Sequence, residues 1–156
     1  MSDTHAPVSR RRFCAGACQA ASGATLATLF SACGGSPTSP SGMASMLGVL
    51  SGRFMDSGVQ VTVAGSALTD VGGAVLVESI AGVFLVARTS ASAFSAVDAV
   101  CSHQSCTITG TDGDTYVCPC HGSRYNRSGQ VVHGPAMASL RRFSTTVTDG
   151  VVTIAL

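Results

Sequence analysis

The chain contains no lysine: all nine of its basic residues are arginine, and three of those stand together at positions 10 to 12. From Ser36 onward six arginines face seven acids, so most of the chain is close to neutral and lacks the basic face that phosphate backbones require. Nucleic acid is therefore not expected among its partners. Charged residues make up only 11% of the sequence and aromatic residues 5%, while Gly, Ser, Thr, Ala and Val abound. Amphipathic helices need a charged outer face, and little of this sequence supplies one. The composition suits short strands joined by tight turns, and an all-β fold is expected. A length of 156 residues leaves room for one domain once a leader is set aside, and not for two independent enzyme domains.

The arginine cluster has a reading of its own. Ser9-Arg10-Arg11-Arg12-Phe13 resembles the twin-arginine export signature, with Arg10 and Arg11 as the arginine pair. It precedes an uncharged, Ala-rich stretch from Phe13 to Ala32, which would just reach across a bilayer but is only mildly apolar. Phe30-Ser31-Ala32-Cys33 at its end resembles a lipobox, the cleavage site before a lipid-bearing cysteine, although Phe30 departs from the usual aliphatic residue. Residues 1–33 are accordingly expected to be an export leader, with Cys33 as the lipidation site. The run from Gly34 to Gly42 reads GGSPTSPSG, a composition that cannot pack, so residues 34–45 are expected to form a flexible tether. Acyl chains gaining about 0.8 kcal/mol per buried methylene would hold such a leash at the membrane surface. An uncleaved N-terminal helix would serve the same end.

Seven cysteines look odd for an exported chain until they are sorted by region. Cys14 and Cys18 fall in the leader and Cys33 at its end; the other four form two clusters with two histidines. The first is Cys101-Ser102-His103-Gln104-Ser105-Cys106 and the second Cys118-Pro119-Cys120-His121-Gly122-Ser123. Zinc accepts two thiolates and two imidazoles, but it would leave Cys106 and Cys120 over, and the spacing is not that of the usual finger. Covalent haem requires C-x-x-C-H, whereas one residue separates Cys118 from Cys120. Two plain disulfides would leave both histidines unexplained.

The two clusters resemble the paired loops of Rieske iron-sulfur proteins, in particular the disulfide-bearing type of cytochrome bc complexes and arsenite oxidase small subunits. The resemblance implies one 2Fe-2S cluster with Cys101 and Cys118 on the inner iron and His103 and His121 on the outer. It also implies a disulfide between Cys106 and Cys120, which suits an oxidising compartment. Imidazole in place of thiolate raises the reduction potential to about −150 to +300 mV, against roughly −400 mV for plant-type ferredoxin clusters. Ser123 and Tyr125 occupy the places where high-potential relatives hydrogen-bond the cluster sulfurs, which lifts the potential. Gly134-Pro135-Ala136 resembles the family's Pro loop, and His133 is expected in a loop. A chain that carries a preassembled cluster outward must cross the membrane folded, as the twin-arginine route allows.

Strand signals cover Val59 to Ala64, Ala74 to Ile80, Val83 to Thr89, Phe94 to Val100 and Thr145 to Leu156, the last broken by a hairpin turn at Asp149-Gly150. Thr111 to Asp114 is expected to separate a strand at Thr107 to Thr109 from one at Thr115 to Val117. The picture is an antiparallel β sandwich bearing a small cluster-binding subdomain, with the domain spanning 59–156. The expected role is one-electron transfer outside the cytoplasmic membrane, as an electron-transfer protein or oxidoreductase subunit. Its partner would be a cytochrome c, a cytochrome b or a periplasmic oxidoreductase. The alternative is a quinol-oxidising subunit of a cytochrome bc-type complex, part of a quinol:cytochrome c reductase. Relatives that oxidise quinol commonly carry Leu after the first histidine, where this chain has Gln104.

Overall fold

The computed structural model describes residues 44–56 and 58–156, so Arg10, Arg11, Cys33 and nearly all of the expected tether lie outside the described residues. Fourteen strands follow one another there: β1 (Ser45–Met46), β2 (Gly48–Ser51), β3 (Arg53–Met55), β4 (Gly58–Thr62), β5 (Ala74–Ser79), β6 (Gly82–Arg88), β7 (Phe94–Asp98), β8 (Gly110–Asp112), β9 (Thr115–Val117), β10 (Arg124–Asn126), β11 (Val131–His133), β12 (Arg142–Phe143), β13 (Thr145–Thr148) and β14 (Val151–Ala155). A single 3-10 turn, Ala67–Thr69, interrupts them, and no α-helix occurs among the described residues. The all-β expectation holds.

Three sheets form, with orders β12-β7-β6-β5-β2, β13-β14-β4-β3 and β1-β8-β9-β10-β11. The first lies between the other two. Alternation along β5 and β6 sends Val75, Val77, Phe84 and Val86 into one core with Val59, Val61, Val152 and Ile154. It sends Ala74, Leu76, Leu85 and Ala87 into a second core with Ile108, Tyr116, Cys118, Tyr125 and Leu140. Burial on both faces explains why β5 and β6 read as nearly unbroken apolar runs rather than as alternating ones. Each fully buried Val, Leu, Ile or Phe among them contributes about 1.5 to 3 kcal/mol. The second core also forms the floor beneath the two cysteine–histidine loops.

The sandwich differs from the expected one in its first strands. Ser45 to Met55 runs as an extended segment that gives one edge strand to each sheet in turn: β1 pairs with β8, β2 with β5 and β3 with β4. The β2–β5 pairing is parallel, an exception to the expected antiparallel layout. Leu47, between β1 and β2, is buried and donates its N–H to the Thr109 carbonyl at 2.8 Å.

Turns decide the rest. Asp149 and Gly150 both take left-handed φ values, 49° and 73°, as a two-residue hairpin requires, and β13 and β14 pair as expected. The other hairpin is displaced from its expected position. Its first arm is β8 at Gly110–Asp112, not Thr107 to Thr109, and Asp112 pairs with Thr115 across the turn at Gly113-Asp114. Residues 107–109 are occupied elsewhere: Thr107 bridges Val100, the Ile108 N–H bonds the Ala99 carbonyl, and Thr109 receives Leu47. His133 ends β11 and is exposed, so it is a strand residue rather than the expected loop residue.

Candidate metal centre

Two loops rise from the second core, residues 101–106 after β7 and residues 118–123 between β9 and β10. They close by the same bonds. In the first, the Cys101 N–H donates to the Cys106 carbonyl at 2.8 Å and the Ser105 N–H to the Cys101 carbonyl at 2.9 Å. In the second, the Cys118 N–H donates to the Ser123 carbonyl at 2.9 Å and the Gly122 N–H to the Cys118 carbonyl at 3.0 Å. The fifth residue of each loop is left-handed, Ser105 at φ 56° and Gly122 at φ 73°. Glycine reaches that region freely, whereas Ser105 holds it at a cost of about 1 to 3 kcal/mol, which the surrounding bonds must offset.

Cys106 and Cys120 form a disulfide between the loops, with Cα atoms 6.5 Å apart and a sequence separation of 14. This is the pairing the family resemblance implies. Cys101 and Cys118 are free thiols, 2% and 1% exposed. His103 and His121 are exposed, their ring centroids 5.0 Å apart and their planes near perpendicular at 87°. The loops thus put two thiols below and two imidazoles above. The Cys118 sulfur lies within 4.8 Å of both disulfide sulfurs, but those two are bonded to each other and cannot serve as thiolate donors. The thiolates on offer to a metal are therefore Cys101 and Cys118, which leaves the disulfide outside the donor set.

The polar surroundings of the two thiols fit a metal–thiolate site. Burial pushes the Cys101 thiol up, but hydrogen bonds from the Tyr125 hydroxyl, the His103 N–H, Cys118 and Ser123 outweigh it and leave the group below an ordinary thiol. Burial holds Cys118 above its ordinary value, against the opposing backbone N–H groups of Cys120 and His121. The donors thus favour thiolate outright at Cys101, whereas at Cys118 burial outweighs them and a bound cation would be needed to hold the thiolate form. Burial and the neighbouring Cys101 also raise the Tyr125 phenol, so it stays protonated and able to donate. A pair of thiolates under a pair of imidazoles suits a two-iron cluster with one pair on each iron.

A third segment closes the site. Ser123, fully buried, accepts the Ala136 N–H on its Oγ at 3.0 Å, which ties the Gly134-Pro135-Ala136 stretch to the second loop. Ser102 Oγ donates to the Ala138 carbonyl at 2.5 Å, which ties the same stretch to the first. Tyr125, also fully buried, brings its hydroxyl within 3.2 Å of the Cys101 sulfur. The one sequence signal for Ser102 is a hydroxyl residue placed directly after the first cysteine of the motif. Away from the loops, the Arg127 guanidinium stacks 4.6 Å over the ring of Tyr116, whose phenol burial pushes up to about 12.

The model of the Rieske 2Fe-2S domain matches residues 59–144. The cytochrome b6-f complex iron-sulfur subunit 2 of Synechocystis sp. is 46% identical over 54 residues, 34% of this chain and 30% of that protein. The chloroplastic cytochrome b6-f complex iron-sulfur subunit of Oryza sativa is 44% identical over 57 residues, 36% of this chain and 25% of that protein. The chain thus matches under a third of the length of these curated relatives. Among solved structures, a chain from the complex of reduced oxygenase and oxidized ferredoxin in carbazole 1,9a-dioxygenase shares 26% identity at a TM-score of 0.51. That match covers 60% of this chain and 96% of that one. The Sphingomonas yanoikuyae B1 ferredoxin shares the fold at 20% identity and a TM-score of 0.50, covering 73% of this chain and 99% of that one. With the family model spanning more than half of its residues, the chain belongs to the Rieske 2Fe-2S family of electron-transfer proteins, and its cofactor is a single 2Fe-2S cluster.

Proposed function

We propose that Cys101 and Cys118 hold the inner iron of the cluster and His103 and His121 the outer, and that the chain passes single electrons outside the cytoplasmic membrane. The observation that carries this reading is the pair of buried thiols beneath a pair of exposed imidazoles, bridged by the Cys106–Cys120 disulfide. The cluster supplies a one-electron couple at high potential. The protein's own residues do the rest. Burial of Cys101 and Cys118 keeps water from the sulfurs, and the disulfide keeps the loops together over them. Exposure of His103 and His121 presents the imidazole edges to a partner, so an electron and an imidazole proton can leave by the same face. Ser123 and Tyr125 serve as tuning residues that stabilise negative charge on sulfur.

In the same reading, Arg10 and Arg11 direct export by the twin-arginine route, residues 1–33 are the leader, and Cys33 receives lipid. The chain then works as a membrane-anchored carrier or as the small subunit of a periplasmic redox enzyme. A second reading, a quinol-oxidising subunit beside a cytochrome, is favoured by relatives whose names place them in the cytochrome b6-f complex. Exposed, polar Gln104 beside His103 speaks against an apolar quinol pocket. Quinol added to purified membranes separates the two: prompt reduction of the protein supports the second reading, and reduction only by a soluble redox partner supports the carrier. His121→Ala tests the ligand assignment. It is expected to abolish the paramagnetic spectrum of the reduced protein, and an unchanged spectrum would overturn the assignment.

A further inference from the structure

Tyr125 has one hydrogen to give and two neighbours able to take it. Its hydroxyl oxygen stands 3.2 Å from the Cys101 sulfur and 3.1 Å from Ser102 Oγ, and the Ser102 backbone N–H, at 3.2 Å, donates to it. The direction of the Ser102 hydroxyl contact is fixed at its other end. Ser102 also has a single hydroxyl hydrogen, and the Ala138 carbonyl oxygen 2.5 Å away can only accept. That hydrogen is therefore committed to Ala138. Ser102 Oγ turns its lone pairs toward Tyr125, and the phenol hydrogen is divided between an oxygen and a sulfur.

We propose that Ser102 is a positioning residue for electron transfer: it competes with the Cys101 sulfur for the Tyr125 hydrogen and so holds the reduction potential below what an undivided bond would set. The proposal rests on Cys101 being a cluster ligand. Hydrogen bonds to an acceptor strengthen as it gains negative charge, so donation to Cys101 favours the reduced state. Each share of the hydrogen diverted to Ser102 weakens that preference. The Ala138 carbonyl controls the outcome at a distance, because it is what keeps Ser102 an acceptor.

The test is a redox titration of cluster-loaded Ser102→Ala and Ser102→Thr, each alone and combined with Tyr125→Phe, read by the paramagnetic signal of the reduced protein. Ser102→Ala is expected to raise the midpoint by about threefold in the reduction equilibrium, about 30 mV at about 59 mV per decade. Ser102→Thr keeps the hydroxyl and is expected to keep the wild-type value. In the Tyr125→Phe background, Ser102→Ala is expected to do nothing, whereas an effect of loosening the link to Ala138 would persist there. No rise in Ser102→Ala, or an equal rise in both backgrounds, overturns the proposal. Ser102→Gly removes the same oxygen and replaces the alanine variant if that one does not load. A wild-type protein without the signal defeats the ligand assignment and this proposal with it; a signal without the shift defeats the role of Ser102 alone.

Discussion

Replacing Cys106 and Cys120 together by serine isolates what the disulfide contributes. The bridge spans a sequence separation of 14, and by the chain-entropy model a loop of about 15 residues is worth about 3 kcal/mol at 25 °C. A domain of this size has a total of about 5 to 15 kcal/mol, so the loss is a large fraction without being fatal. The fold should survive it, because Ser102 to Ala138, Ser123 to Ala136 and Tyr125 to Cys101 still join the loops to their surroundings. At about 4 °C or more per kcal/mol, the melting midpoint should drop by about 12 °C or more. The assay is urea unfolding of loaded Cys106→Ser/Cys120→Ser, followed by far-ultraviolet circular dichroism and by visible absorbance. The midpoint should fall, and the slope should hold or rise slightly, since the unbridged unfolded chain exposes somewhat more surface. A loss under about 1 kcal/mol would refute the view that this bridge, rather than the three hydrogen bonds, holds the two loops together.

Tyr125→Phe removes the phenol donor at Cys101 and should lower the reduction potential by about 40 mV, taking a hydrogen bond as about 1 kcal/mol and about 59 mV per decade. Ser123→Ala should lower it too, because Ser123 accepts the Ala136 N–H and keeps its own hydrogen free for sulfur. A titration with no shift in either variant would remove both from the tuning role. Tyr116 gives a pH dependence. Its phenol is raised from 10.0 to about 12 in the folded chain, so its stabilising effect is complete below the unfolded value and is lost as pH climbs from 10 toward 12. Two units correspond to at most about 3 kcal/mol. Urea midpoints should fall across that window in the wild type and fall less in Tyr116→Phe; parallel curves would contradict the assignment.

The cysteine–histidine clusters were legible because each loop holds all of its cysteines and histidines within six consecutive residues, the disulfide pair among them. The strands β4 to β7, β13 and β14 were legible from apolar runs ended by Gly, Asp and Ser, with boundaries off by a residue or two. β1 to β3 were not. Their residues are mostly exposed, and each strand is held by its partner in a different sheet rather than by a periodic pattern of its own. The shifted β8 has a similar cause: Thr107 to Thr109 has good strand propensity, yet its backbone groups are taken by Val100, Ala99 and Leu47. Ser102 stayed hidden because its partners, Tyr125 and Ala138, lie 23 and 36 residues along the chain. Its place directly after Cys101 is the one local mark it bears.

In the proposed centre, Cys101, Cys118, His103 and His121 converge on one pair of bridged irons. Electron paramagnetic resonance of the dithionite-reduced, fully matured protein, with iron and acid-labile sulfide measured on the same sample, tests it most directly. Two irons and two sulfides per chain are expected, with a single reduced-cluster spectrum showing nitrogen couplings from two imidazoles. A protein that binds zinc, or whose reduced spectrum carries no nitrogen coupling, would contradict it.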